Sequence, residues 1–235
     1  MKIILLFMLM ILPICILGLS IYDMDKEKES LKLLVKLMLS GILSCLLVLI
    51  ISLFLINIFP IFNLNIESMN IGQMLLYAFI CVALVEEGCK LLFLYITAYN
   101  HKENNYTFDM IVYSVFVSLG FAFFENVLYL SGGELMIGIS RAFTAIPAHA
   151  SYGVFMGIFL SKAKCYDVKD LNKAKMYKLL SLIVPVLIHG LYDLFVFSNT
   201  TLFLGTFIIS LFSLTLMFLH KKRKDDIKIS LYTIE

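Results

Sequence analysis

Charge is scarce in this 235-residue sequence: Asp, Glu, Lys and Arg make up 15%, against about 25% in ordinary soluble domains. That scarcity excludes a soluble globular enzyme, a disordered tail and a nucleic-acid-binding module. The five cysteines (Cys15, Cys45, Cys81, Cys89, Cys165) form no C-x-x-C pair, so neither a disulfide framework nor a cysteine metal site is indicated. They read as small apolar residues. The H-E-x-x-H signature of common zinc proteases is missing, as are a G-x-S-x-G elbow and an obvious Ser–Lys pair. No span alternates with the period of two that a barrel strand needs. Repeats and low-complexity segments are absent too.

What is present is hydrophobic: 61% of residues, with a mean hydropathy of +0.94. A bilayer core of about 30 Å takes about 20 apolar residues per helix. Seven stretches qualify, about 3–22, 37–59, 71–99, 110–130, 136–160, 179–198 and 201–219. The chain therefore reads as all-α, a polytopic transmembrane helical bundle of about seven spans forming one integral membrane domain over 1–235.

Orientation follows from the basic residues. They fall after the first span (Lys26 to Lys36), after the third (Lys102), after the fifth (Lys162 to Lys178) and in the tail. The connections after the second, fourth and sixth spans hold none. Positive loops stay cytoplasmic, so the amino terminus is expected outside and the basic tail, 220–235, in the cytoplasm. Lys2 is the one dissenter. A cleaved signal peptide would reverse this pattern, and Leu17-Gly18-Leu19-Ser20 is a poor cleavage site. The first span is expected to be retained.

Polar residues inside the spans carry the functional signal. The third span contains Glu86, Glu87 and Lys90, the fourth Glu125 and Asn126, the fifth Arg141 and His149, the sixth His189 and Asp193. Each central Asp, Lys or Arg costs about 2.5–3.5 kcal/mol on insertion scales. They must be paired, neutralised or wet. A rise of about 1.5 Å per residue puts Glu86, His149 and His189 near the midplane, and Glu125 and Asp193 nearer the outer face. One shared polar cavity, open outward, is expected.

Helical spacing refines the picture. Glu86 and Lys90 are i, i+4, as are His189 and Asp193, so each pair shares a face. Glu87 lies about 100° round from Glu86, so the two carboxylates should not share a partner. One is expected to work in the cavity while the other is held by Lys90 or Arg141. Arg141 either snorkels to the outer surface or pairs with a site glutamate. Pro147 and Pro185 precede the two histidines and should kink their helices. Gly153 and Gly157 form a G-x-x-x-G pair expected at a close helix contact. The 20 Phe and 12 Tyr read as lipid-facing or packing surface.

Three readings fit these residues: hydrolysis by carboxylate-activated water with histidine assistance, a proton or ion pathway, or a polar network that only holds helices together. A His/Glu metal site assembled from four helices is compatible with the first.

The order Glu86-Glu87-Gly-Cys-Lys90, Gly120-Phe-Ala-Phe-Phe-Glu125-Asn126, Pro147-Ala-His149 and His189-Gly-Leu-Tyr-Asp193 resembles the PrsW family of intramembrane proteases. That family belongs with the CAAX-processing and bacteriocin-immunity-type membrane proteases. The resemblance covers 71–198, which it marks as the catalytic core spans. It implies Glu86 as the water-activating base, Glu87 as a supporting glutamate, and catalytic places for Glu125, His149 and His189. Lys90, Asn126 and Arg141 support them. Many relatives carry Asn where Asp193 stands. An ionised aspartate cannot donate to an oxyanion, which leaves Asp193 to orient His189 or to act protonated.

The resemblance further implies a membrane-anchored protein substrate in the bacterial plasma membrane, an anti-sigma factor cut on the extracytoplasmic side. No nucleic-acid partner is implied, and the lipid bilayer is the other partner. No cofactor is expected, although a divalent metal such as zinc stays open. The alternative function is a proton-coupled or ion transporter using the same buried cluster.

Overall fold

The computed structural model describes residues 2–59, 65–131 and 135–232. Helix α1 (Lys2–Met24) leads through a short linker to α2 (Leu31–Ile58). After a 3₁₀ turn at Ile66–Ser68 comes one long helical rod. Its parts are α3 (Ile71–Leu76), a π-helical stretch (Tyr77–Leu84), α4 (Val85–Leu94) and a second π-helical stretch (Tyr95–Tyr99). Then follow α5 (Asp109–Ser131), α6 (Leu135–Phe143), α7 (Ala145–Tyr166), α8 (Leu171–Phe197), α9 (Thr201–Lys224) and a terminal turn, α10 (Ile229–Tyr232). The described residues contain no strand, only an isolated bridge between Tyr106 and Lys228. The last three residues of the basic tail lie outside them.

Five segments are long and apolar enough to cross a membrane: α2, α5, Met136–Tyr166, α8 and α9. The remaining two stretches read from the sequence correspond to α1 and the 71–99 rod. The rod's central turns widen to π geometry immediately before Glu86, a distortion that often accompanies functional sites.

Two expectations need correction. The fifth span, 136–160, expected to kink at Pro147, instead breaks at Thr144, between α6 and α7. Pro147 is therefore the third residue of a new helix, where its missing N–H breaks no ladder bond. Pro185, by contrast, sits inside an uninterrupted α8. The lysine-rich segment 162–178 is also mostly helical, because only four residues separate α7 from α8. Asp170 caps α8 by accepting from the amides of Asn172 (3.1 Å) and Lys173 (3.0 Å).

The helices α5 and α7 are buried along most of their length, and the others wrap around them. Helices α2, α8 and α9 turn broad apolar faces outward, as lipid-covered helices do. Small residues set the closest approaches. A Cβ on Gly41 would strike the Val117 carbonyl, and one on Gly120 the Met38 carbonyl, so α2 and α5 touch backbone to backbone. Gly153 and Gly157 do the same for α7 against Ser114 and Ile111 of α5, as their spacing suggested. These contacts fix the register of Glu125 and His149 on neighbouring helices.

Candidate active site

Glu86, Glu87 and Lys90 stand in the first two turns of α4, aimed at the inside of the bundle. Glu87 and Lys90 are fully buried, and Lys90 Nζ donates to Glu87 Oε1 at 2.7 Å. The same ammonium lies 3.6 Å from Glu86 Oε2. The two glutamates thus share a partner after all: the long lysine side chain reaches between the i+3 and i+4 positions. They still differ sharply in surroundings. Each glutamate has a buried Oε2 with no hydrogen-bond partner, but Glu87 is locked through its Oε1 by Lys90 and His189, whereas Glu86 lines the cavity wall.

From α5, Glu125 Oε2 accepts from Arg141 Nη2 at 2.6 Å and from His149 Nε2 at 2.9 Å. Arg141 Nε also donates to Asn126 Oδ1 at 2.8 Å. Arg141 is therefore an inward clamp on adjacent side chains of α5, not a snorkelling surface residue. Its planar guanidinium suits that forked contact.

The tautomer of His149 follows from its neighbours. Lys90 Nζ lies 3.0 Å from His149 Nδ1, and an ammonium can only donate. Nδ1 is then the acceptor, and Nε2 carries the proton given to Glu125. For His189 the arrangement is reversed: Nδ1 donates to Glu87 Oε1 at 2.8 Å. Nε2 faces Asp193 Oδ2 at 3.4 Å and Glu86 Oε2 at 3.9 Å. Glu87, not Asp193, orients the ring through Nδ1. The i, i+4 spacing does bring Asp193 to the same space.

A cavity of about 440 Å³ opens among these groups, lined by Glu86, Glu125, Arg141, His149, His189 and Asp193. A second lobe of about 420 Å³ begins at the same Glu86 and Glu125 and runs along Cys45, Val48 and Leu49 of α2. Four carboxylates (Glu86, Glu87, Glu125, Asp193) face two permanent cations, Lys90 and Arg141. In so dry a setting the imbalance requires further positive charge, from protons on His189 and a carboxyl or from a bound cation.

Sequence reasoning missed the aromatic walls. Tyr152 stacks on His189 with ring centroids 4.8 Å apart, and His149 meets His189 edge-on at 5.3 Å. Phe121 presents its face to Lys90 Nζ at 4.0 Å, and Tyr129 does so to the Arg141 guanidinium at 3.9 Å. Helical spacing was the available signal. Phe121 and Tyr129 lie one turn either side of Glu125, and Tyr152 lies three residues beyond His149.

As metal donors, Glu86, Glu87, His149 and His189 each offer an atom within 4.8 Å of the others. Lys90 already occupies the inner side, taking Glu87 Oε1 and His149 Nδ1. Of the cavity-lining residues, Glu86 Oε2 and Asp193 Oδ2 lie 3.9 and 3.4 Å from His189 Nε2. Both of those oxygens are buried without a hydrogen-bond partner.

A family model described as PrsW family intramembrane metalloprotease matches residues 29–219. The chain is similar to Protease PrsW of Clostridioides difficile, 33% identical over 193 residues, covering 80% of this chain and 77% of that protein. Protease PrsW of Oceanobacillus iheyensis is 31% identical over 209 residues, 88% of this chain and 91% of that protein. Protease PrsW of Bacillus subtilis is 39% identical over 140 residues, covering 58% and 62%. No solved structure matches the chain.

Proposed function

The chain belongs to the PrsW family of intramembrane proteases, and from that premise we propose that Glu86 activates the water that cleaves its substrate. Family membership makes the protein a peptidase with a membrane protein substrate, and sets the transporter reading aside. The observation that supports Glu86 as base is its place on the cavity wall, which Glu87 lacks, with Oε2 3.9 Å from His189 Nε2.

The residues divide the work as follows. Glu86 takes a proton from water, and the resulting hydroxide oxygen bonds to the peptide carbonyl carbon. A proton on His189 Nε2 stabilises the oxyanion, and Asp193 at 3.4 Å holds that proton in place. Glu86 then returns its proton to the leaving nitrogen as the C–N bond breaks. Glu87 fixes the His189 ring, while Arg141, Asn126 and Glu125 hold His149. Lys90 joins the two groups by touching Glu87 and His149 together.

The family description includes the word metalloprotease, and part of the donor set approaches the spacing that a metal ion needs. Neighbouring ligands of a tetrahedral zinc-type ion with bonds of about 2.0–2.2 Å lie about 3.3–3.6 Å apart. His189 Nε2 to Asp193 Oδ2 is 3.4 Å, and to Glu86 Oε2 is 3.9 Å. Glu86, His189 and Asp193 would hold such an ion, which when bound lowers the pKa of its water. Water activation without a metal is favoured by Lys90, whose ammonium already supplies positive charge to both glutamates.

The substrate proposed is a single-span anti-sigma factor cut on the extracytoplasmic side of the bacterial plasma membrane. Support for that side comes from the basic residues, which cluster at the opposite ends of the helices from the deep site acids. The apolar lobe along α2 suits the hydrophobic residues beside the scissile bond. The test is co-expression with such a substrate. Cleavage by the parent and none by Glu86→Gln, at equal protein levels, is the expected result. Cleavage retained in Glu86→Gln removes Glu86 as base.

A further inference from the structure

A second group of acids is buried away from the catalytic cavity, where separate parts of the chain meet. Asp25 and Glu29 lie in the linker between α1 and α2, and Asp109 opens α5. Their exposures are only 4%, 5% and 0%. One carboxylate oxygen of each falls within 4.8 Å of the other two. Asp226, from the segment after α9, lies close enough to repel Asp25.

Hydrogen bonds account for only some of these oxygens. Asp109 Oδ2 accepts from the amides of Asn105 (2.8 Å) and Tyr106 (2.7 Å). Asp226 Oδ1 accepts from the Phe108 amide (2.9 Å) and the Thr107 hydroxyl (3.1 Å). Asp109 Oδ1, Asp226 Oδ2 and both oxygens of Asp25 are buried with no partner. The amides of Lys26 and Glu27 approach Asp25 without reaching bonding geometry. The nearby lysines turn elsewhere: Lys26 to the Asp226 carbonyl (3.1 Å) and Lys28 to the Tyr22 carbonyl (2.5 Å). Among the described residues, no Lys or Arg pairs with Asp25, Glu29 or Asp109. Burial pushes the Asp25 carboxyl up to about 6, aided by Asp226, and the Glu29 carboxyl up to about 9. Three buried acids without a counter-charge are costly unless something positive joins them.

We propose that Asp25, Glu29 and Asp109 bind a divalent cation, with the free Asp25 carboxylate as its central ligand. An all-oxygen set selects hard ions of the magnesium or calcium class over zinc or copper. The ion ties the α1–α2 linker to the start of α5, beside the segment that follows α9. The site shares no residue with the catalytic cavity, so its failure leaves the protease reading intact.

The test uses full-length protein in detergent, stripped of metal and carrying Glu86→Gln to weaken ion binding in the cavity. Manganese is added and followed by electron paramagnetic resonance. About one Mn²⁺ per chain should bind, and magnesium and calcium titrations show which displaces it. At a hundred-fold excess over its dissociation constant, the winning ion should raise Tm by about 5 °C or more. Asp25→Asn with Asp109→Asn should abolish both effects, while leaving the ion-free protein at least as stable as its parent. No stoichiometric Mn²⁺ in the Glu86→Gln protein overturns the proposal, whether or not the Asn variants fold. Binding that persists in folded Asn variants overturns it as well.

Discussion

His189 donates from Nδ1 to Glu87 Oε1 at 2.8 Å, and this contact gives the two adjacent glutamates different duties. Glu87 spends its Oε1 on His189 and Lys90, so it builds the site. Glu86 lines the cavity and is reached by neither Lys90 (3.6 Å) nor His189 (3.9 Å) within hydrogen-bond distance, which suits it to the proposed role of base.

Substitution should separate those duties. Glu86→Gln is expected to abolish cleavage with little change in stability, because its Oε2 makes no hydrogen bond. Glu87→Gln leaves Lys90 buried without its closest carboxylate, which costs about 3–5 kcal/mol. Thermal unfolding in detergent beside a cleavage assay reads both. Equal losses of stability in the two variants would refute the division.

Arg141 clamps Glu125 and Asn126 with two different nitrogens. Lysine is a point charge and cannot keep both contacts. Arg141→Lys should therefore reduce cleavage by about 10-fold or more, by the scale of losses when supporting partners are removed. Tm should move little. Unchanged cleavage would mean that the clamp does not position His149.

The backbone contact between α2 and α5 tolerates no added methyl. Gly120→Ala drives a Cβ into the Met38 carbonyl, and overpacking of this kind costs about 1–3 kcal/mol. A matched Gly205→Ala control inside α9, where nothing lies within 4 Å, should be no less stable than the parent, since Ala favours a helix over Gly. Tm values of the two variants make the comparison.

Metal dependence is decided by a zinc-selective chelator. Phenanthroline added to active protein, with magnesium kept in excess so that the acidic cluster stays filled, should leave cleavage unchanged. Loss of activity, restored by zinc, would refute metal-free water activation.

Much of the site was legible in the linear pattern because burial of charge in lipid is so costly that each such residue announces itself. Glu86, Glu125, His149, His189 and Asp193 were all found that way, and the i, i+4 rule paired the last two. What the pattern missed were relations across helices. Arg141 was read as indifferent between surface and site, yet α6 ends where its guanidinium meets Glu125. The aromatic walls escaped because Phe and Tyr are ordinary in apolar spans. Tyr152 differs from the rest only in lying under His189.

The sequence by itself determined the class: long apolar runs must be helices in lipid, since no water is there to satisfy an open backbone. It also determined which residues had to find partners. Only the tertiary structure decided who those partners are. Lys90 lies near two glutamates in the chain, and its choice of Glu87 and His149 depends on where α4 meets α7, which packs against α5 at contacts no wider than a glycine. Such choices turn on a few tenths of an ångström between segments about 60 to 100 residues apart, and no local periodicity encodes that distance.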